Sequence, residues 1–544
     1  MRIGVDVGGT NTDAVLISGS TVISSTKQPT TSDVSSGIAK AITTLLEDAV
    51  LHPTAITAVM IGTTHFTNAL VECSKLDEVG VIRLASPSGE ALPPLSGWPE
   101  ALVNQIGKNY FLLPGGYEYD GRDISSFDEA AVRNAAQTCK ARGINSIAIS
   151  CAFAPINPDM EKKAAKVVQE EHPHAVTSLS HEIGRLGLIE RENGVILNAA
   201  LSTLAQHVIA SFKHALNKLG LYAPLYISQN DGTLISAAHA TRYPVMTIGS
   251  GPTNSMRGAA FLTGVKDGIV MDVGGTTCDI GVLSKGIPRE SSISVDIGSI
   301  RTNFRMPDIL SIGLGGGTHV HLDPQAYTST ERAEHDLRIG PDSLGYRIMQ
   351  DSYLFGGEHL TTSDIAVIAG HAKFGDRTLV PAISPEVREL IWKRIQMMIE
   401  DGLDRMKTTP ENVTIIAVGG GHFLIGDHLK GAKKIVRPPH ASVANAIGAA
   451  IAQVGATVDQ IIDYETSPRE VALAQLRGIA AERVAAAGGA PETIKVVDVE
   501  EMFLSYLPGR SAQVRMKAVG DLALTKTNHN PIASDLEHKV RHAH

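Results

Sequence analysis

The sequence predicts an α/β protein, and three observations lead to this fold class. Short β-branched runs alternate with helical patterns, the strand-like runs end in glycine-rich turns, and one strand–turn–strand motif occurs twice. The strand-like runs are RIGVDV (2–7), AVMIGTT (58–64), SIAISCAF (146–153), PLYISQN (224–230), GIVMDVGG (268–275) and VTIIAVGGG (413–421). The helix-like segments between them include 35–50, 159–172 and 386–406. Ligands of open α/β sheets bind where strands end, so the glycine-rich turns mark the candidate site.

The bulk composition restricts the class of protein. A chain of 544 residues is too long for one hydrophobic core, so two or more domains are expected. Hydrophobic residues at 43%, charged residues at 19% and a net charge of −9 are ordinary for a soluble protein and argue against a nucleic-acid partner. The most apolar stretch, 443–458, is shorter than a membrane span and carries Asn445 and Gln453. No membrane partner is therefore expected.

The cysteines and the N-terminal sequence predict a cytoplasmic protein. The four cysteines have no metal-type spacing, which favours free thiols in a reducing compartment. Met1 and Arg2 lead directly into an apolar strand, without a signal-peptide pattern.

The repeated motif is VDVGGTNTDAVL at 5–16 and MDVGGTTCDIGVL at 271–283. In each copy an apolar strand runs into Gly-Gly-Thr and a second strand leaves, which predicts a β-hairpin. The matching positions are Asp6 with Asp272, Val7 with Val273, Gly8 with Gly274, Gly9 with Gly275, Thr10 with Thr276 and Asp13 with Asp279. A hairpin that merely turns the chain would explain one copy. Two copies, each at the head of an α/β region, predict a duplicated fold with both hairpins facing one cleft.

The residue types in this motif suit a phosphate and its metal ion. Glycine lets the backbone approach a ligand closely and aim several N–H groups at one point, an array that binds phosphate oxygens. Thr10 adds a hydroxyl group, and Asp6, at the end of its strand, can hold a hydrated Mg²⁺. Thr276 and Asp272 occupy the matching positions.

A third glycine-rich turn supports a nucleotide site. The strand 413–418 leads into Gly419–Gly421 and then a predicted helix, where an adenine ring or ribose can lie against the backbone. The small residues of 442–452 suit a helix packed tightly between domains. Competing motifs fail: Gly107-Lys108 lacks a P-loop context, Gly249-Ser250-Gly251 lacks the third glycine of a dinucleotide fingerprint, and His181-Glu182 lacks a second zinc-binding histidine.

These features resemble the superfamily of actin, sugar kinases and heat-shock ATPases, and finer stretches resemble the short A subunits of the hydantoinase/oxoprolinase family. The stretches are IGTTHFTNALVE (61–72), LIERENGVILNAAL (188–201), ISQNDGTLIS (227–236), TIGSGPTNSMRGA (247–259), SIGLGGGTHV (311–320), IGPDSLG (339–345), LTTSDIAV (360–367) and AVGGGHFLIG (417–426). The resemblance implies two duplicated actin-like (ribonuclease H-like) α/β domains around an ATP cleft, plus a small C-terminal region.

The resemblance also implies an activity and site residues. In this family ATP phosphorylates and so activates a cyclic amide of the 5-oxoproline, hydantoin or lactam type, and water opens the ring. By resemblance, Asp6 and Asp272 are the catalytic carboxylates and hold Mg²⁺ through water, and Asp13 and Asp279 brace the hairpins. The phosphate ligands would be Gly8, Gly9, Thr10, Asn11, Gly274, Gly275 and Thr276, and the nucleoside would contact Gly419, Gly420 and Gly421. The substrate residues would be Thr63, Thr64, His65, Asn68, Gly315, Gly316 and Gly317.

The predicted organisation follows the family pattern. Residues 1–185 and 186–455 are expected to be the two actin-like domains, 456–524 a small C-terminal α/β region, and 525–544 a disordered tail. A separate second subunit, in short-form relatives often a metal-dependent protein, and an oligomeric assembly are expected. Two alternatives stay open: a small-molecule kinase of the same superfamily, and an ATP-driven regulatory or chaperone-like module.

Several side chains have two interpretations. His65 either contacts substrate or γ-phosphate or is a loop histidine satisfied by its neighbours. His319 and His321 either form part of a metal site or simply flank the Gly315–Gly317 turn. Cys278 is either a nucleophile or, more simply, a small packing residue. Glu190 and Arg191 form either an ion pair facing the cleft or a solvated helix face.

Overall fold

The computed structural model describes residues 1–9, 11–30, 34–291, 295–304, 306–504 and 509–523. The described strands are β1 (Arg2–Val7), β2 (Asn11–Ser18), β3 (Thr21–Pro29), β4 (Ala58–Thr63), β5 (Val79–Ser86), β6 (Asn109–Pro114), β7 (Ser146–Cys151), β8 (Val176–Leu179), β9 (Leu225–Ser228), β10 (Leu234–Ser236), β11 (Gly268–Val273), β12 (Cys278–Ser284), β13 (Ile287–Pro288), β14 (Val295–Ile297), β15 (Ile300–Thr302), β16 (Ile309–Ile312), β17 (Thr318–His321), β18 (Arg338–Ser343), β19 (Val413–Val418), β20 (Ala432–Val436), β21 (Val454–Asp463), β22 (Lys495–Phe503) and β23 (Ser511–Gly520).

The described helices are α1 (Val34–Asp48), α2 (His65–Val71), α3 (Glu100–Ile106), α4 (Glu129–Ala141), α5 (Asp159–Glu171), α6 (Leu188–Ala200), α7 (Ser202–Lys218), α8 (Ala237–Arg242), α9 (Ser250–Thr263), α10 (Thr330–Asp336), α11 (Ile348–Asp351), α12 (Thr362–Ile368), α13 (Pro385–Met406), α14 (Ala444–Ile451) and α15 (Arg469–Ala486). The strand and helix segments predicted from the sequence patterns are present within a few residues of their predicted limits, except for the helix predicted after Gly421.

Two large sheets contain the repeated hairpin. The first has nine strands in the order β22-β23-β21-β10-β9-β4-β1-β2-β3, and the second follows the order β13-β12-β11-β19-β20, with β16 also paired to β12. In the first sheet β1 is antiparallel to β2 and parallel to β4, and in the second β11 is antiparallel to β12 and parallel to β19. The duplicated α/β architecture predicted from the sequence is therefore confirmed.

A parallel four-stranded sheet, β6-β5-β7-β8, lies between the two hairpin-bearing halves in the sequence. One of its strands, β6, lies in the segment 86–123, which is rich in Pro and Gly and also contains α3. The composition of this segment predicts turns, but β6 pairs along β5 from Asn109 to Pro114 and is held in the sheet by that ladder. Tertiary pairing thus overrides the local turn signals.

The C-terminal strands extend the first sheet. β21 is parallel to β10 at Leu234 and Val454, and it is antiparallel to β23 along its full length. The strands β9 and β10, which follow residue 186, also belong to this sheet. The domain limits given above remain predictions, and the predicted tail, 525–544, lies outside the described residues.

Two small-residue helices, α9 and α14, cross at very short range. A Cβ atom on Gly258 would lie 1.9 Å from the carbonyl oxygen of Ala444, and one on Gly448 would lie 1.8 Å from the carbonyl oxygen of Asn254. A Cβ on Gly4 of β1 would lie 2.2 Å from the carbonyl oxygen of Ala446. Glycine is required at these positions because backbone atoms occupy the space of a side chain.

Gly258→Ala is expected to lower the free energy of unfolding by about 1–3 kcal/mol or more, because the added methyl group meets rigid backbone. Gly478→Ala is the matched control, since Gly478 is also inside a helix, α15, and a Cβ there meets nothing within 4 Å. That control should gain about 0.5–1 kcal/mol from helix propensity. Chemical denaturation of both variants measures the difference, and equal effects would contradict the tight crossing.

No single helix among the described residues is both long and apolar enough to cross a membrane. One pair, α6 and α7, reaches that length and composition only when both are taken together across a bend of 52°.

Candidate active site

The two hairpins have the same register. Asp6 lies opposite Asp13 in the first hairpin, and Asp272 lies opposite Asp279 in the second. Each hairpin places one carboxylate at the end of its first strand and a second carboxylate beside it on the returning strand. The duplication seen in the sequence is therefore also a duplication of backbone geometry.

The glycine turns close in the same way. The amide of Gly8 donates to the carbonyl oxygen of Asn11 at 3.0 Å, and the amide of Gly274 donates to the carbonyl oxygen of Thr277 at 2.8 Å. The next glycine, Gly9 or Gly275, therefore lies within the turn. Thr10 falls outside the described residues, so its predicted phosphate contact stays a prediction.

Asp6 is buried, with 4% of its surface exposed. Its Oδ2 accepts a hydrogen bond from Nδ2 of Asn445 at 2.8 Å, and its Oδ1 has no hydrogen-bond partner among the described residues. Burial, and then the negative charges of Asp13 and Asp272, raise the pKa of Asp6 to about 7. The charge of Asp272, in the second hairpin, therefore acts on the pKa of Asp6 in the first.

The second carboxylate of each hairpin is held by a neighbouring strand. Lys27 of β3 places its Nζ 2.6 Å from Oδ1 of Asp13. Burial raises the pKa of Asp13, and the Lys27 charge opposes that shift. Ser311 of β16 donates to Asp279, whose pKa burial raises to about 6. These contacts agree with the predicted bracing role of both residues.

Asp272 is held from α9. Ser255 donates its hydroxyl hydrogen to Oδ2 of Asp272. Burial raises the pKa of Asp272, and this hydrogen bond opposes the shift. A Cβ on Gly419 would lie 2.2 Å from Oδ1 of the same carboxylate, so the Gly419–Gly421 turn passes directly beside it.

The Gly419–Gly421 turn lies on the end of β11. The amide of Gly421 donates to the carbonyl oxygen of Val273 at 2.7 Å, and a Cβ on Gly420 would meet nothing within 4 Å. The helix predicted after the turn is wrong: only one 3₁₀ turn forms, at residues 422–424. Gln396 of α13 explains this difference, because its amide bonds the carbonyl of Leu424 and its carbonyl accepts from the amide of Gly426, groups that a continuing helix would use.

The Gly315–Gly317 turn packs against the second hairpin. The amides of Gly316 and Gly317 donate to the carbonyl oxygens of Gly274 and Gly275, at 3.0 and 2.7 Å. Thr362, at the start of α12, fixes the turn by donating to the carbonyl oxygen of Gly315 at 2.5 Å. These predicted substrate residues therefore lie beside the predicted phosphate residues.

The predicted substrate residues after β4 lie beside the first hairpin. The amide and hydroxyl of Thr64 both donate to the carbonyl oxygen of Val7, each at 3.2 Å. Nδ1 of His65 lies 2.5 Å from the hydroxyl of Thr63, and burial lowers the pKa of His65. Asn68 is exposed on α2. The histidine has a neighbouring partner, as one interpretation predicts, and its contact with substrate stays a prediction.

The remaining ambiguous side chains have structural partners. Nε2 of His321 lies 2.8 Å from Asp342, and His319 lies against the rings of His321 and His359. Within the described ranges no group of three or more His, Cys, Asp or Glu side chains is arranged to hold a metal ion. Cys278 is fully buried and burial raises the pKa of its thiol, which fits packing.

The Glu190–Arg191 pair is not formed. Arg191 is buried and donates to the carbonyl oxygen of Cys151 at 2.6 Å, while Glu190 lies 3.6 Å from Arg301. Helix α6 therefore directs the two side chains to different neighbours.

Sequence reasoning missed Asn445, Ser255 and Lys27. The sequence pattern marks Asn445 only as a polar interruption of an apolar stretch. In the structure its side-chain amide donates a hydrogen bond to the carboxylate of Asp6, 439 residues away in the chain. A polar residue within a run of small residues is a usable signal, because a buried amide must find a partner.

The donor set fits a hydrated Mg²⁺ ion. Each hairpin supplies one carboxylate, the charge of Asp272 raises the pKa of Asp6, and Oδ1 of Asp6 is a buried oxygen without a partner in the described part of the chain. Hard cations of this kind take oxygen ligands and keep several waters.

Two hairpin-bearing α/β halves with the same register, joined through tightly crossing helices, define the duplicated actin-like fold. Solved structures share it: the ATP-dependent caprolactamase from Pseudomonas jessenii has a TM-score of 0.73 at 19% identity, covering 96% of this chain and 87% of that chain. A nucleotide-free acetone carboxylase structure has a TM-score of 0.70 at 17% identity, covering 96% and 88%.

The chain belongs to the hydantoinase/oxoprolinase family. Residues 2–172 match the hydantoinase/oxoprolinase N-terminal region, and residues 191–378 match the family model described as hydantoinase/oxoprolinase. The family resemblance stated from the sequence motifs is thereby confirmed.

Three curated relatives carry activity names. The caprolactamase subunit alpha of Pseudomonas jessenii is 27% identical over 399 residues, which is 69% of this chain and 55% of that protein. The acetophenone carboxylase gamma subunit of Aromatoleum aromaticum is 26% identical over 261 residues, 46% of this chain and 34% of that protein. The acetone carboxylase beta subunit of Xanthobacter autotrophicus is 26% identical over 261 residues, 46% of this chain and 35% of that protein. The chain thus spans about half the length of the caprolactamase subunit and about a third of each carboxylase subunit.

Proposed function

We propose that this chain is an ATP- and Mg²⁺-dependent hydrolase subunit that phosphorylates the carbonyl oxygen of a cyclic amide and so activates the ring for opening by water. The observation that carries the proposal is the pair of carboxylate–glycine hairpins, which share one register and in which the charge of Asp272 acts on the pKa of Asp6. Phosphoryl transfer needs mainly positioning and charge neutralisation, which such a pair can supply.

The hairpins suit the triphosphate of ATP. The amides of Gly275 and Gly420 donate to no other backbone group within the described ranges, so they are available to phosphate oxygens. The proposed phosphate ligands are Gly8, Gly9, Thr10, Asn11, Gly274, Gly275 and Thr276, and the nucleoside lies against Gly419–Gly421. When bound, Mg²⁺ neutralises phosphate charge, and Asp6 and Asp272 would hold it through water.

The substrate residues are proposed from position. Thr63 and Thr64 contact the end of the first hairpin at Val7, and His65 contacts Thr63. The Gly315–Gly317 turn contacts the second hairpin. A substrate between them would present its carbonyl oxygen to the γ-phosphate. The amide carbonyl is a poor electrophile, and transfer of the γ-phosphoryl group to its oxygen, with loss of ADP, makes its carbon more electrophilic. Water then adds to this carbon, and the C–N bond breaks as the ring nitrogen takes a proton, which leaves an amine and an acyl phosphate. A second water molecule hydrolyses the acyl phosphate to the ring-opened acid and free phosphate.

The relatives support this class of chemistry. One is named a caprolactamase subunit and its solved counterpart is described as ATP-dependent, which favours a lactam-type ring. The carboxylase subunits favour a second candidate, activation of a ketone oxygen for carboxylation. Because these relatives are named as subunits, we also propose a separate partner subunit. The free cysteines Cys73, Cys139, Cys151 and Cys278 fit a cytoplasmic location.

The purified chain with ATP and Mg²⁺ is expected to release phosphate faster when its cyclic amide is present. The panel is 5-oxoproline, hydantoins and lactams, with acetone and acetophenone plus bicarbonate as the ketone arm, each with and without partner-containing extract. A ring-opened acid with free phosphate supports the hydrolase, and a carboxylated ketone supports the second candidate. A stable phosphorylated product indicates a kinase instead. No stimulation by any ring compound in any arm would contradict the proposal.

A further inference from the structure

One face of α9 carries buried polar side chains that have no hydrogen-bond partner in the part of the chain that the structure describes. Ser250 and Asn254 are four residues apart, so they share a helix face, and both are completely buried. The Ser250 hydroxyl and both polar atoms of the Asn254 amide have no hydrogen-bond partner among the described residues. Buried polar groups are normally paired, so this cluster needs an explanation.

The Asn254 amide faces the unpaired oxygen of Asp6 across Gly62. A Cβ on Gly62 would lie 2.6 Å from Oδ1 of Asp6 and 2.7 Å from Nδ2 of Asn254. The two atoms are therefore at most about 5.3 Å apart, and they do not form a hydrogen bond with each other. One water molecule with two ordinary hydrogen bonds spans a gap of this size.

The hydrogen bond from Asn445 uses the other oxygen of Asp6, Oδ2, and leaves Oδ1 without a partner among the described residues. Asn445 holds Oδ2 from α14, and the charged groups that act on Asp6 are Asp13, Asp272 and Lys27. Oδ1 therefore points toward α9. A buried water needs two to four polar partners, and Oδ1 of Asp6 and the Asn254 amide supply two.

We propose that Oδ1 of Asp6 and the Asn254 amide form a buried site for one water molecule, and that Asn254 is a positioning residue that orients the Asp6 carboxylate through this water. The inference rests on the proposed function for its catalytic consequence, but the water site itself does not depend on it. Glycine is required at position 62 because a methyl group there would press against both Oδ1 of Asp6 and Nδ2 of Asn254 and displace the two atoms that hold the water.

Asn254→Val and Asn254→Thr form a matched pair, since valine and threonine have the same shape and only threonine can bond a water. Asn254→Val is expected to lower kcat for ATP hydrolysis by about 10- to 100-fold with KM for ATP changed less than about 3-fold. Asn254→Thr should keep kcat at least about 5-fold above the valine variant. Thr263→Ala, at the far end of α9, is the control and should match the wild type. Equal kcat for the valine and threonine variants would overturn the positioning role.

A crystal structure at about 1.5 Å gives the readout that does not depend on activity. The wild type should show one ordered water within about 3.2 Å of both Oδ1 of Asp6 and the Asn254 amide, and Gly62→Ala should lack it. A direct Asp6–Asn254 hydrogen bond, or no water there, would overturn the site. If the wild type shows this water but no ATP hydrolysis, the proposed function fails while the water site stands.

Discussion

Asp272→Ala is expected to lower kcat for ATP hydrolysis by at least about 10³-fold, because it removes one of the two carboxylates proposed to hold Mg²⁺. Ser255 and the Gly419 turn fix this carboxylate in place. Phosphate release with saturating ATP and Mg²⁺ measures the loss.

Two further variants make this result specific. Asp272→Asn keeps the shape and should lose nearly as much activity, since the charge is what the metal requires. Asp48→Ala removes an exposed carboxylate at the end of α1 and should leave the rate unchanged. Wild-type activity in Asp272→Asn would show that the carboxylate charge is not used.

Asp6→Asn is expected to abolish ATP hydrolysis and at the same time to stabilise the protein at pH 8 in the absence of nucleotide and metal. The folded-state pKa of Asp6 is raised from 3.8 to about 7, so the folded protein holds this proton more tightly than the unfolded chain. The stabilising contribution of the neutral form is complete below pH 3.8 and is lost as pH rises through about 7. Asparagine keeps a neutral side chain at every pH, so the gain at pH 8 is up to about 4 kcal/mol.

The pH dependence separates this effect from ordinary repacking. At pH 4.5 the gain should shrink to about 1 kcal/mol, because wild-type Asp6 is then largely neutral. Asp120→Asn is the control, since a hydrogen bond from Arg122 lowers the pKa of Asp120 and no gain is expected at pH 8. Denaturant titrations at both pH values give the comparison. An Asp6→Asn variant no more stable than wild type at pH 8 contradicts the electrostatic account.

Local patterns were sufficient for the fold class and for the hairpins. Six matching positions at constant spacing identify two strand–turn–strand units, and alternating apolar runs identify strands β1 and β11. These features depend on residues that are neighbours in the chain, so the sequence displays them directly. The longer stretches that resemble the hydantoinase/oxoprolinase family predicted membership of that family, and the family comparison confirms it.

Contacts between distant segments were not predictable in the same way. The Asn445–Asp6 hydrogen bond and the addition of β21 to the first sheet join residues more than two hundred positions apart. The 3₁₀ turn after Gly421 depends on Gln396, which no local pattern links to that loop. Such contacts depend on how whole helices and strands pack against each other, and this packing cannot be inferred from local patterns in a single sequence.

The two hairpins share a register but differ in the residue that lies beside each carboxylate. Asp6 lies beside Gly62 on the neighbouring parallel strand, whereas Asp272 lies beside Val418, which is fully buried. A duplicated unit would start with the same neighbour beside both carboxylates, and the two halves now differ at this position. Glycine leaves the side of Asp6 open for the proposed water, whereas the valine side chain fills the matching place beside Asp272.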